Sequence, residues 1–213
     1  MKNRVSCWKL LPAGLIGTCL LTTGVARADI VVTVQSVTAS PGDNGDPLEV
    51  DLLNTGPSAV DIAGFTFGIS TANPEINFTG ATTATGAPYI FAGDSLFGPE
   101  IATSIGQTLI ASDLFAVVNS GVMVGSGNTV ALGLVLFDVS TSAVSGTVPV
   151  PFVPIATSLS DPAGTAIPIA RSSSGEITIS GTVIPEPSLL LPIIGVLLLM
   201  GTRRAFRNSP LKH

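Results

Sequence analysis

The chain has 213 residues, 46% of them apolar and only 11% charged, with a formal net charge of −5. That figure hides a segregation: from Asp29 to Ile184 one base, Arg171, faces thirteen carboxylates, a net −12, with no Lys, His, Cys or Trp. Such a segment lacks the imidazole or thiolate of a nucleophilic triad or zinc site, and a single Arg cannot neutralise a run of phosphates, which excludes nucleic acid as a partner.

The N-terminus reads as an address. Lys2, Arg4 and Lys9 precede an uncharged apolar run, Leu10–Val25, which ends in Ala26-Arg27-Ala28. A basic start, an apolar run and two small residues around the cut predict a secretory signal peptide over residues 1–28, with Ala26 and Ala28 as the signal peptidase site. An uncleaved N-terminal membrane helix is the alternative. A lipoprotein start at Cys19 is disfavoured by Thr18 before it. Both cysteines, Cys7 and Cys19, leave with this peptide, so the mature protein is expected to hold no disulfide although it is exported.

Residues 29–182 are predicted to form one all-β ectodomain. Short runs alternate with period two, the pattern of half-buried strands. Leu48, Val50 and Leu52 share a face opposite Glu49 and Asp51; Phe65, Phe67 and Ile69 share one opposite Thr66, Gly68 and Ser70. Val130, Leu132, Leu134 and Leu136 are expected on the core face of a later strand, with Ala131, Gly133 and Val135 opposite. Ile177 and Ile179 alternate with Thr178 and Ser180 near the end. Turn signals at Pro41-Gly42, Asn44-Gly45 and Gly56-Pro57 punctuate the runs. Many short strands at this spacing predict a sandwich of two antiparallel sheets, and the lack of a fixed period excludes a propeller or solenoid.

Within this domain the side chains offer little chemistry. Asp43 and Asp46, in the turn Asp43-Asn44-Gly45-Asp46, are oxygen donors suited to calcium. The turn lacks the ligand spacing of an EF-hand, and Asx residues fill such turns by bonding their own backbone. Glu49 and Asp51 lie at i and i+2 on one strand face, a separation open to a glycosidase pair, but their outward phase predicts a solvated face, and no catalytic residue is assigned. Ala81–Thr85 is one Thr-rich stretch without the repeat of a flat ice-binding array. Asn77-Phe78-Thr79 is a chance glycosylation match. Tyr89 is the only Tyr, and the eight Phe of the ectodomain fall mostly on core-facing strand positions, which weakens a sugar-binding reading.

The series Val37–Asp46, Leu48–Leu53 and Ile62-Ala63-Gly64-Phe65-Thr66-Phe67 resembles the opening strands of a cohesin-type module, with a Pro-Gly-Asp turn before the strands. Leu132–Val139, Ser158-Leu159-Ser160-Asp161 and Gly175–Ile179 fit its later strands. The resemblance implies a jelly-roll β-sandwich of the carbohydrate-binding-like type, and a carbohydrate- or protein-binding module as one function.

The C-terminal segment, residues 183–213, carries the densest signal. Pro185-Glu186-Pro187 precedes the apolar run Leu189–Met200, and Arg203, Arg204 and Arg207 follow. A membrane helix of about residues 188–202 is short for a bilayer: Pro187–Thr202 would span about 24 Å against a hydrocarbon core of ~30 Å. The basic end, 203–213, would act as a cytoplasmic membrane stop and leave the ectodomain outside. This order resembles the PEP-CTERM sorting tail of Gram-negative bacteria, also labelled an "ice-binding protein C-terminal domain". The resemblance implies export across the inner membrane and processing by a membrane-embedded exosortase at Pro185, Glu186 and Pro187. It implies a membrane-anchored precursor that ends at the cell surface or in the extracellular matrix. A plain single-pass anchor is the alternative. The whole chain therefore reads as a non-enzymatic protein without cofactor, structural or adhesive in an exopolysaccharide or biofilm layer, with a polysaccharide or protein as possible ligand.

Overall fold

The computed structural model describes residues 29–181; the predicted leader (1–28) and tail (183–213) lie outside the described residues. The chain enters through β1 (Ile30–Val34), β2 (Val37–Ala39) and β3 (Asp46–Asn54). It continues through β4 (Val60–Ile62), β5 (Gly64–Ser70) and β6 (Ile76–Thr82). Then come β7 (Ala102–Ser104), β8 (Thr108–Leu114), β9 (Val122–Val124) and β10 (Thr129–Val139). The last strands are β11 (Gly146–Val150), β12 (Ser158–Ser160), β13 (Ala166–Ile167), β14 (Ile169–Ser173) and β15 (Gly175–Ile179). One 3-10 turn, Pro154–Ala156, is the only helical element among the described residues.

Two five-stranded sheets face each other, ordered β14-β1-β3-β10-β6 and β13-β12-β5-β8-β7. A three-stranded sheet, β11-β15-β2, and the pair β4-β9 complete the strand pairing. The inward phases meet in one continuous core holding Leu48, Val50, Leu52, Phe65, Phe67, Ile69, Ile177 and Ile179. Phe65 lies at the centre of the aromatic part, stacked on Phe67 at 6.0 Å and on Phe91 at 5.7 Å between ring centroids.

Two expectations are corrected. The sheets are not purely antiparallel, because β1 pairs with β14, and β2 with β15, in parallel. The chain's first and last extended runs lie side by side and change sheets together. They cross where a Cβ on Gly175 would stand 2.5 Å from the Gln35 carbonyl oxygen, an approach only glycine permits. The core face of β10 is also displaced. Leu134 and Leu136 are only half-buried, whereas Val135, Phe137 and Val139 are buried. An irregularity between Ala131 and Gly133 adds one residue to the pairing with β3 and reverses the alternation beyond it. Gly133 itself faces the core, where an added Cβ would meet the Phe67 ring at 3.3 Å.

The turn leaving β3 is held by Asn54, which is fully buried. Its side-chain N–H group donates to the Ser58 and Val124 carbonyls at 2.8 and 2.9 Å, and its Oδ1 accepts from the Gly56 N–H. One amide thus satisfies three backbone groups, joining the turn after β3 to β9.

Candidate functional site

The buried polar centre of the domain was absent from the sequence reading. Asp113 occupies an inward position of β8, in phase with Leu109 and Ala111, and is fully buried. Its carboxylate accepts from the Tyr89 hydroxyl at 2.6 Å, the Ser95 hydroxyl, the Phe97 N–H at 3.0 Å and the Leu114 N–H at 2.8 Å. Burial, followed by the adjoining carboxylate, raises the Tyr89 phenol above its ordinary pKa. Four donors saturate the charge, so the arrangement ties the connection between β6 and β7 to the end of β8. The signal was legible as a carboxylate in the apolar phase of an alternating strand.

The two carboxylate pairs singled out in the sequence are placed by their strands. Glu49 and Asp51 point outward from β3, but not into free solvent. Glu49 accepts from the Gly86 and Ala87 N–H groups at 3.0 and 2.8 Å, which folds the loop after β6 down over the sheet. The solvated face expected there is therefore half-covered, and both residues are partly buried. Asp51 Oδ2 accepts from Gln35 Nε2 at 2.6 Å, while its Oδ1 is buried without a hydrogen-bond partner. Burial raises the pKa of Asp51; the Gln35 bond lowers it, and the Glu49 charge raises it again. Neither residue lines the clefts beside Arg171, Thr66 or Glu100.

In the turn before β3, Asp43 accepts from the Ser40 N–H at 2.6 Å, and Asn44 donates to the Gly42 carbonyl at 2.8 Å. Gly42 and Gly45 take left-handed conformations, φ +90 and +69. The Gly45 N–H donates to Asp138 across the sheet. Burial and then the Asp43 charge raise the pKa of Asp46. Among the described residues no three His, Cys, Asp or Glu side chains converge as a metal set. Ala26, Ala28, Pro185, Glu186, Pro187, Arg203, Arg204 and Arg207 lie outside the described residues, among which no helix is long and apolar enough to cross a membrane.

Two surfaces remain as places for a ligand. The outer face of the second sheet carries an uncharged hydroxyl row, Ser158, Thr66 and Ser112, directly opposite one another across three strands. At the open side of the sandwich, where β13 leads into β14, a cleft of about 470 Å³ contains Arg171.

No family model and no curated protein sequence matches the chain. Solved structures do. The sixth cohesin of scaffoldin B from Acetivibrio cellulolyticus, solved in complex with a Cel5 dockerin, matches with TM-score 0.55 at 12% identity, over 71% of this chain and 99% of that one. The cohesin CaCohA2 from Clostridium acetobutylicum matches with TM-score 0.54 at 15% identity, over 72% and 92% of the two chains. A non-cellulosomal cohesin from the archaeon Archaeoglobus fulgidus matches with TM-score 0.52 at 16% identity, over 72% and 92%. The described residues thus form an all-β sandwich with the cohesin fold.

Proposed function

We propose that this chain is an exported, exosortase-sorted, non-enzymatic protein of the cell surface or extracellular matrix, structural or adhesive within an exopolysaccharide layer. The observation that carries the reading is the order Pro185-Glu186-Pro187, apolar run, Arg203-Arg204 in the sequence. Each proline lacks an N–H and biases the residue before it away from helix, so Glu186 is offered in extended chain ahead of the membrane segment. The Asp29–Ile184 segment holds no Cys, so its stability in an oxidising compartment does not depend on disulfide formation. In a host carrying its exosortase, Glu186→Ala is expected to leave export intact and to retain full-length protein in the membrane fraction. The C-terminal mass of the wild-type surface protein is the measurement. An intact His213 on all of it would leave a plain single-pass anchor.

A cohesin-type protein-binding module is the second reading, favoured by the likeness to a cohesin solved with a dockerin. The hydroxyl row of Ser158, Thr66 and Ser112 is the surface this reading assigns to the partner. A dockerin that binds the wild type and is lost on Thr66→Arg would select this reading.

A further inference from the structure

The cleft at the open side of the sandwich has a geometry that neither sheet face shares. β13 ends the second sheet and β14 ends the first, so the cleft opens between two terminal strands. Ile169, Ala170, Arg171 and Ser172 all line it. Successive side chains of a strand point to opposite faces. A cleft lined by four in a row therefore runs along the strand's edge, and β14 is paired on its other edge only, with β1. Its floor is apolar: Phe152 and Leu159 are buried, and Ile167 and Ile169 half-buried. Arg171, exposed at the rim, is the sole Lys or Arg of the described residues.

We propose that this cleft is a strand-addition groove, which receives an extended peptide segment of a partner protein along β14. One acidic side chain of that peptide pairs with Arg171, and apolar neighbours rest on the floor. An open strand edge supplies main-chain hydrogen bonds to an added strand, and the flanking side chains set its sequence. A guanidinium beside the edge selects a carboxylate, which it binds bidentately. In a domain of net −12 the remaining charges repel an acidic chain, so the selection rests on this one contact. A saccharide finds no stacking surface here, because the only aromatic lining residue, Phe152, is buried.

The test uses the full chain in detergent micelles with a fluorescently labelled hexapeptide, Thr-Val-Glu-Val-Thr-Val, and its Gln counterpart. The Glu peptide is expected to bind saturably. The Gln peptide, and the Glu peptide on Arg171→Gln, are expected to bind about tenfold or more weakly, as the loss of a charge-assisted hydrogen bond implies. Arg171→Lys should recover part of the affinity, and Ala170→Phe should block the groove, with unchanged circular dichroism showing that each variant folds. Absence of saturable binding to the wild type overturns the proposal, as does equal binding to Arg171→Gln. Binding of oligogalacturonate without the peptide would make the cleft a saccharide site and overturn it too. Self-association of Arg171→Gln, with no peptide binding by the wild type, would reduce Arg171 to an edge guard. The exosortase experiment is read at residues 185–188 and is unaffected by any of these results.

Discussion

Asp113 is the side chain on which most local order depends. Its removal in Asp113→Ala leaves the Tyr89 and Ser95 hydroxyls and two backbone N–H groups without their acceptor. Each buried unpaired group costs about 1–3 kcal/mol, although relaxation and entering water recover part. We expect Asp113→Ala to lose about 3–5 kcal/mol in urea unfolding and Tyr89→Phe about 1 kcal/mol. Similar losses for the two would show that the charge is not the centre of the network. Asp51 acts in the opposite sense. Its folded-state pKa is raised, so the folded state holds a proton more tightly than the unfolded one. Stability from this group is present at acid pH and falls as pH rises from about 3.9, the ordinary Asp value, through the raised one. Asp51→Asn keeps an acceptor for Gln35 and removes the repulsion with Glu49. Its melting temperature relative to wild type should therefore rise with pH across that window. A difference constant from pH 3 to 7 would refute the raised pKa.

At the scale of the strand, the glycines decide where the alternation is allowed to fail. A Cβ on Gly175 meets backbone oxygens of Val34 and Gln35 at 2.7 and 2.5 Å, whereas one on Gly133 meets side-chain atoms of Ile101 and Phe67. Backbone yields less readily than a rotamer. Gly175→Ala should cost about 2–3 kcal/mol and Gly133→Ala less, since overpacking a core costs about 1–3 kcal/mol; chemical denaturation of the two variants reads the order. The strands with an uninterrupted period, β3, β5 and β15, could be read from the sequence, including which residues entered the core. β10 was not legible to its end: Gly133 is the isolated glycine that can mark a bulge, but an apolar run of Val, Ala and Leu on both sides of it fits either phase. Of the site, the hydroxyl row and Asp113 were implicit in strand phase. The Arg171 cleft required knowing that β13 and β14 both end their sheets, a long-range fact that no local pattern carries.

The whole described domain is held against its own charge. Thirteen carboxylates and one guanidinium repel on balance, and compaction brings the carboxylates closer than they stand in the unfolded chain. Burial first and the Asp43 charge second raise the pKa of Asp46, and the second of these is the local expression of that field. Raising NaCl from about 0.01 to 0.5 M shortens the screening length from ~30 Å to a few ångströms, so the melting temperature should climb and then level off. Calcium separates general screening from a site at the Asp43–Asp46 turn. Asp43 already accepts from the Ser40 N–H, and no third carboxylate joins it as a metal set. At matched ionic strength we therefore expect calcium to do no more than NaCl, and Asp43→Ala with Asp46→Ala to leave that comparison unchanged. A saturable rise with calcium, abolished by the double substitution, would instead establish an ion at the turn. It would also require Asp43 to exchange its backbone partner for the metal.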